Sequence, residues 1–409
     1  MKPTTVLGLM SGTSADGVDA VLVSFAGPRA RPRWRLLKSQ FLPYPEALQQ
    51  QLISIGQGQA ATAATVLNLA EAVTEVQADC ARLCDPDGLA SLVGCHGQTL
   101  WHRPPDGLRR GCSWQLLQAP LLAELLQRPV VFDLRSHDLA LGGHGAPLVP
   151  AADAALLPAI GGWRALLNLG GIANLTLLPP ATGPERFSDV LGWDCGPANT
   201  LIDLAVNRFS QGKQRFDADG RWAAQGRVHE DVIRRWLAES YFQTPPPKST
   251  GREVFGEDDL NQRLATLAGA CGTLDNHQAQ SDALATLTAF SAAVVAADLA
   301  RSPGPGPLEL VVAGGGARNG TLINQLRHRC RGLWVRPLAD LGIGETDREA
   351  LAFALLAWWH QQEHHGSLPS VTGAEQAAVL GVCAHPGAAQ RLGRYRRTRF
   401  GKPRNRLGV

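Results

Sequence analysis

The chain has 409 residues, 44% of them apolar and 18% charged, with a formal net charge of +3 at pH 7. The length favours two domains, and the composition excludes a disordered or fibrous chain in favour of a well-cored globular one. Met1-Lys2-Pro3-Thr4 leads straight into a strand pattern, and no apolar run reads as the roughly 18 residues of a membrane span, so a cytoplasmic protein with no membrane partner is expected.

In chain order, residues 6–10, 18–25 and 34–42 alternate as strands, broken by Gly27-Pro28 and Pro32, which predicts an antiparallel meander. Residues 45–84 change to helical spacing, with Leu48, Leu52, Ile55, Val66, Leu69, Val73 and Val76 on apolar faces. A buried strand over 89–94 ends in Cys95-His96-Gly97-Gln98-Thr99. Trp114-Gln115-Leu116, a helix over 118–127 and a strand over 129–133 follow. The pattern then restarts. Strands over 164–169 and 174–178 flank a Gly170-Gly171-Ile172 turn, and a strand over 190–194 precedes a helix from about 199 to 208. A long helical region over 228–300 is followed by a strand at 308–313, a helix at 320–330, a strand at 333–335 and a helix from Thr346 to His360. The shared plan of the halves predicts two related α/β lobes facing a cleft.

Charge is unevenly placed. Residues 391–406 hold eight basic side chains and no acidic ones, which leaves −5 for the rest of the chain. Such a run can meet nucleic acid or an anionic surface, and it reads here as a solvated extension without a nucleic-acid partner. The eight cysteines are scattered; Cys80 and Cys84 are the one close pair, and no further ligands at zinc spacing accompany them. Buried, reduced thiols are expected.

Several turns carry the residue types that chemistry needs. Ser11-Gly12-Thr13-Ser14-Ala15-Asp16-Gly17 joins two strands, with Val18 and Asp19 opening the second. Its backbone N–H groups and hydroxyls can face a polyphosphate, without the lysine and the following helix of a Walker loop. Asp16 and Asp19 lie close enough to address a metal or an attacking hydroxyl; no metal ligand set can be specified. Asn168-Leu169-Gly170-Gly171 opens the second half in the same manner, as a tight turn or as a second phosphate loop. Gly314-Gly315-Gly316-Ala317-Arg318-Asn319 lies between a strand and a helix, where glycines allow a ligand close to the backbone or merely a tight crossover. Asp194, read at the end of a strand, is placed as a general base or as a turn aspartate. His96 follows a buried strand in Gly/Gln/Thr company, and Asp133-Leu134-Arg135-Ser136-His137-Asp138 clusters ionisable groups after another. Glu349 sits on an otherwise apolar helix face. Neither a hydrolase triad nor a metalloprotease motif is present.

Together these segments resemble the anhydro-N-acetylmuramic acid kinase family of the actin/hexokinase/Hsp70 ATPase superfamily. The matching stretches are Gly8–Asp19, Cys95–Thr99, Gly142–Pro150, Asn168–Asn174, Asp194–Asn199, Pro247–Glu253, Gly314–Asn319 and Glu349–Ala354, in family order. The resemblance implies two ribonuclease H-like lobes of mixed five-stranded sheets with ATP in the cleft. Lobe I is expected over 1–140, completed by 346–385; lobe II over 141–345; a basic tail over 386–409. It implies a cytoplasmic, homodimeric enzyme of peptidoglycan recycling that uses ATP, Mg2+ and water to turn 1,6-anhydro-N-acetylmuramic acid into N-acetylmuramic acid 6-phosphate and ADP. Gly12, Thr13, Ser14, Ala15, Asp16, Gly17, Val18 and Asp19 would hold the phosphates, joined by Asn168, Gly170 and Gly171. Gly314, Gly315, Gly316 and Asn319 would hold the adenosine. Asp194 would be the general base and Glu349 a second catalytic carboxylate. His96, Gln98, Asp133 and Arg135 would bind the sugar. Residues 113–120 keep the family's Trp-Gln but lack the Gly-Asp or Gly-Asn beside it. The alternatives are a related sugar kinase of different specificity and a non-catalytic ATP-binding module.

Overall fold

The computed structural model describes residues 2–387 other than Gly107, Ile160, Pro247, Ser249, Arg252, Glu253, 303–305, Glu345 and the side chain of Cys271. The expected basic tail lies outside the described residues from 388 onward, as does part of the Pro247–Glu253 stretch. The chain forms two compact units. The first takes the chain up to Ala146, then Glu349–Ser367, then the chain from Ala374; the second takes Pro147–Arg348 and Leu368–Gly373.

In the first unit, β1 (Thr4–Ser11), β2 (Gly17–Ala26) and β3 (Arg33–Pro43) form the expected antiparallel meander. Helices α1 (Glu46–Gly56) and α2 (Ala63–Cys84) follow, and the Thr62 hydroxyl caps α2 by accepting from Thr65 N. Next come β4 (Leu92–Arg103), β5 (Cys112–Leu116), α3 (Ala119–Leu126), β6 (Val130–Phe132) and the short α4 (Ser136–Ala140). The sheet order is a C-terminal strand (Val382–Ala384), β6, β4, β1, β2, β3, with β5 paired to β4. This sheet has seven strands rather than the expected five, because β5 pairs with the part of β4 beyond residue 94 and the C-terminal strand adds antiparallel to β6. Leu9, Val18, Leu48, Leu69, Val73 and Val93 fill its core. Each such side chain contributes roughly 1.5–3 kcal/mol on full burial.

Two features of this sheet place functional groups. Gly8 on β1 and Gly94 on β4 are directly paired. A Cβ on Gly8 would come 2.0 Å from the Ala350 carbonyl oxygen, and one on Gly94 would come 2.2 Å from that of Phe353. The helix Asp347–Gln361 therefore rests on bare backbone, which brings Glu349 in its first turn down to the sheet. The second feature is a bulge. β1 advances two residues, Leu9 to Ser11, while β4 advances three, Cys95 to Gln98. Gly97 absorbs the extra residue at φ +77°, where a Cβ would approach the Leu116 carbonyl oxygen to 3.0 Å. Such bulges bend a strand and re-aim its side chains. The strand expected to end at residue 94 thus continues to Arg103, and His96 and Gln98 lie inside it rather than after it.

The second unit has the expected mixed five-stranded sheet, its strands numbered β7 to β11 along the chain and ordered 11-10-7-8-9. Its strands are β7 (Arg164–Leu169), β8 (Ile172–Leu178), β9 (Leu191–Pro197), β10 (Glu309–Ala313) and β11 (Trp334–Pro337). β7, β8 and β9 are antiparallel neighbours; β10 runs parallel to β7 and β11. Helix α5 (Val149–Leu156) was not foreseen, and α6 (Thr200–Phe209) was. The region 228–300 resolves into four helices, α7 (Glu230–Leu237), α8 (Ser240–Gln243), α9 (Glu257–Cys271) and α10 (His277–Arg301). Helix α10 is long and apolar enough to cross a membrane by length and composition alone, and most of it is buried within this unit. Helix α11 (Gly320–Arg329) begins with the Asn319 side chain accepting from Leu322 N at 2.9 Å.

Candidate active site

The expected first phosphate loop is a tight β1–β2 hairpin. Gly12, Thr13, Ser14 and Asp16 are half-buried to exposed, while Ala15 is buried at φ +49°. Ala15 N donates to the Gly12 carbonyl at 3.1 Å, and the Ser14 hydroxyl donates to Asp16 Oδ1 at 2.9 Å. The Ser11 hydroxyl lies 2.7 Å from the Gly17 carbonyl and 2.6 Å from Gln98 Oε1, so it closes the base of the loop. Gln98 Nε2 donates to the carbonyls of Gly12 (3.0 Å) and Thr99 (3.2 Å). Gly17, Val18 and Asp19 are the first residues of β2, with Asp19 opposite Met10.

His96 is buried one bulge step away. Its Nδ1–H donates to the Gly97 carbonyl at 2.9 Å, and two guanidinium N–H groups of Arg135 converge on Nε2 at 3.0 and 2.9 Å. A guanidinium only donates, so Nε2 must accept and the ring is the neutral Nδ1–H tautomer. Burial first, and Arg135 second, hold the imidazole pKa well below its ordinary 6.5. The ring also packs on Phe353, with centroids 4.6 Å apart. Arg135 Nη1 donates to the Gly145 carbonyl at 2.7 Å. Removal from solvent lowers the Arg135 pKa to about 10 against the opposing pull of Glu349 and Asp138. Asp133 sits at φ +52° and accepts from the Ser136 hydroxyl. Hence His96, Arg135 and the charge of Glu349 belong to one electrostatic group in the first unit. Gln98 faces the loop, and Asp133 braces the start of α4.

In the second unit, Asp194 lies within β9 rather than at its end. The register passes from Asn174↔Asp194 to Ala173↔Gly196, which leaves Cys195 as an extra residue. Asn174 Nδ2 donates to Asp194 Oδ1 at 2.9 Å and Thr250 N to Oδ2 at 3.1 Å. The Asp194 backbone is fixed as well, by its N–H to the Lys248 carbonyl (2.9 Å) and by the Tyr241 hydroxyl donating to its own carbonyl (2.8 Å). Behind it, Lys248 Nζ lies 2.8 Å from Asp298 Oδ1, both almost fully buried, and Trp193 Nε1 donates to Asp298 Oδ2 at 3.2 Å. Burial raises the Asp298 pKa while Lys248 pulls it down. The sequence reading assigned no role to Tyr241, Lys248, Thr250 or Asp298, and placed Asn174 only within the second phosphate segment. Three of them lay in quoted motifs, Asn174 at the end of the second hairpin and Lys248 and Thr250 in the Pro247–Glu253 stretch.

The remaining glycine turns come together in the same unit. Asn199 Nδ2 donates to the carbonyls of Leu169 (2.9 Å) and Gly170 (2.7 Å), which holds the β7–β8 turn from behind. A Cβ on Gly314, at φ +83°, would meet Asn168 Oδ1 at 2.6 Å, and one on Gly316 would meet Leu169 Cβ at 2.7 Å. Gly314 and Gly316 therefore pack against Asn168 and Leu169 with no room for a Cβ, whereas Gly170 and Gly315 have that room. Gly315 is exposed. Asn319 is buried, and its carboxamide oxygen caps α11. Among the described residues, no cluster of three or more His, Cys, Asp or Glu side chains suits a metal ion.

Two mixed β-sheets flanked by helices, each with a glycine hairpin held by a carboxamide, define an α/β protein of two units. A family model for anhydro-N-acetylmuramic acid kinase matches residues 4–386. Similar proteins include the anhydro-N-acetylmuramic acid kinase of Synechococcus sp. (strain CC9902), 60% identical over 384 residues and covering 93% of this chain and 99% of that one. That of Synechococcus sp. (strain WH7803) is 59% identical over 392 residues, and that of Prochlorococcus marinus (strain MIT 9303) 59% over 384, with the same coverage. The chain belongs to the anhydro-N-acetylmuramic acid kinase family, a family of sugar phosphotransferases.

Proposed function

We propose that this chain opens 1,6-anhydro-N-acetylmuramic acid with water and phosphorylates it from ATP, with Asp194 as general base. The water oxygen bonds to the anomeric carbon and its proton passes to an Asp194 carboxylate oxygen. The C1–O6 bond breaks, and O6 takes the γ-phosphoryl group as ADP leaves. The products are N-acetylmuramic acid 6-phosphate and ADP. The observation that carries this reading is the carboxylate of Asp194, held at Oδ1 by Asn174 and at Oδ2 by Thr250 N. A positioned carboxylate base contributes typically ~10²–10⁴-fold.

Phosphoryl transfer itself needs mainly positioning and charge neutralisation. The Gly12–Asp19 and Asn168–Gly171 turns supply backbone donors for the phosphates, and the Gly314–Gly316 turn offers a bare surface to the adenosine. Mg2+ keeps several waters and takes one or two carboxylates together with substrate phosphates, so it does not require a protein cage. Asp16, exposed on the first loop, and Asp19 at the start of β2 are hard oxygen donors of the right kind. They would hold the ion, which would neutralise charge on the phosphates. Glu349 and Arg135 orient the sugar and its water, with His96 holding the guanidinium. The setting is cytoplasmic recycling of cell-wall sugar, and the assembly a homodimer. The test is ADP release by purified protein, with and without 1,6-anhydro-N-acetylmuramic acid; release that does not depend on the sugar sinks the assignment.

A further inference from the structure

We propose that Gln98 serves the nucleotide rather than the sugar, as the positioning residue that turns the Thr13 N–H of the first loop toward the phosphates. This rests on the reading of that loop as a phosphate site. Gln98 is 1% exposed, and both of its amide protons are used, on the Gly12 and Thr99 carbonyls. A primary amide has two donors only, so none is left for a sugar hydroxyl. Its oxygen lies 2.6 Å from the Ser11 hydroxyl, whose one proton it shares with the Gly17 carbonyl, and burial keeps its second lone pair from solvent.

The consequence follows from peptide geometry. A trans peptide is planar, and its C=O and N–H point in opposite directions. The Gly12 carbonyl is drawn inward by two donors, Gln98 Nε2 at 3.0 Å and Ala15 N at 3.1 Å. The N–H of the same peptide belongs to Thr13, so it is turned outward, where Thr13 and Ser14 are exposed. A neutral carboxamide can hold this arrangement because it donates to Gly12 and accepts from Ser11 at once. The Gly97 bulge brings it into register, with Gln98 paired to Ser11 itself. The loop then meets the phosphates already oriented, so less ordering is left to the moment of binding.

Gln98→Glu keeps the shape, removes both donors and sets a carboxylate oxygen against the Gly12 carbonyl. Gln98→Leu removes the polar group, and Ser11→Ala loosens the clamp from its other side while leaving Gln98 in place. ADP with Mg2+ is titrated calorimetrically into the parent and each variant. KM for ATP and for the anhydro sugar are measured separately, and circular dichroism checks that each variant is folded. Expected is a roughly tenfold weaker ADP affinity and higher KM for ATP in the Gln98 variants, the scale of one misdirected donor to an anion, with KM for the sugar unchanged. Ser11→Ala moves the same way by less. In the parent, the Thr13 amide resonance shifts on adding ADP with Mg2+, a readout that does not require any variant to fold. A raised KM for the sugar with unchanged ADP affinity, or a Thr13 resonance that does not move, overturns the proposal. Tight ADP binding without sugar-dependent turnover would instead defeat the assigned reaction and leave Gln98's role standing.

Discussion

Replacing Lys248 by Met removes one charge from a pair in which both partners are almost fully buried, with Lys248 Nζ 2.8 Å from Asp298 Oδ1. At that distance the gross attraction is about 6 kcal/mol at an effective dielectric near 20, most of it offset by desolvation. Breaking a buried pair from one side typically costs about 3–5 kcal/mol because a charge is stranded. Asp298 limits that penalty. Burial already raises its pKa, and Lys248 is the chief influence lowering it. Without the lysine its carboxyl rises further and takes up a proton on folding. The sign follows from linkage: a carboxyl with a raised folded pKa binds more protons in the native state, so stability falls as pH rises through that value. Relative to the parent, Lys248→Met should lose about 3 kcal/mol at pH 8 and markedly less at pH 5, measured by urea unfolding at both. A double change, Lys248→Met with Asp298→Leu, should recover most of the loss. Turnover should fall as well, because losing the Nζ–Asp298 anchor frees the segment whose Lys248 carbonyl accepts the Asp194 N–H. Equal stability of parent and variant at pH 8, within about 0.5 kcal/mol, would refute the reasoning.

Two further perturbations read the first unit. Gly94→Ala places a methyl 2.2 Å from the Phe353 carbonyl oxygen and must push the helix carrying Glu349 off the sheet; a loss of about 1–3 kcal/mol in thermal unfolding is expected, with kcat reduced, whereas an unchanged melting curve would contradict the packing. His96 is held neutral below its ordinary pKa, so the native state binds fewer protons than the unfolded chain between the two values. Its contribution is present above about pH 6.5 and drains away below it, by up to about 1.4 kcal/mol per pH unit. His96→Leu should flatten that acid limb in urea titrations between pH 7.5 and 5, and an identical limb in the variant would exclude His96 as its source.

Much of this was legible in the sequence. The meander, both hairpins and the restart of the pattern at residue 164 rest on period-2 alternation bounded by glycines, which is a local signal. What was missed is non-local. Two β-bulges, at Gly97 and at Cys195, carry strands past the points where their apolar runs stop. A run such as Cys95-His96-Gly97-Gln98 has the composition of a loop, and only the neighbouring strand makes it a strand. The partners of Gln98, Ser11 and Gly12, lie 87 and 86 residues away in sequence, so its place beneath the first loop had no local signal. For the same reason the supports of Asp194 were invisible: Tyr241 and Thr250 reach it directly and Asp298 through Lys248, from turns and a helix that the pattern 228–300 blurred into one segment.

In the proposed reaction Asp194 takes the proton of the attacking water. Coupled ADP release with 1,6-anhydro-N-acetylmuramic acid, comparing the parent with Asp194→Asn, tests it most directly. The amide keeps the size of the side chain but cannot accept the proton, so the account predicts a kcat lower by ~10²–10⁴-fold with ADP affinity unchanged. Turnover within a few-fold of the parent would contradict it.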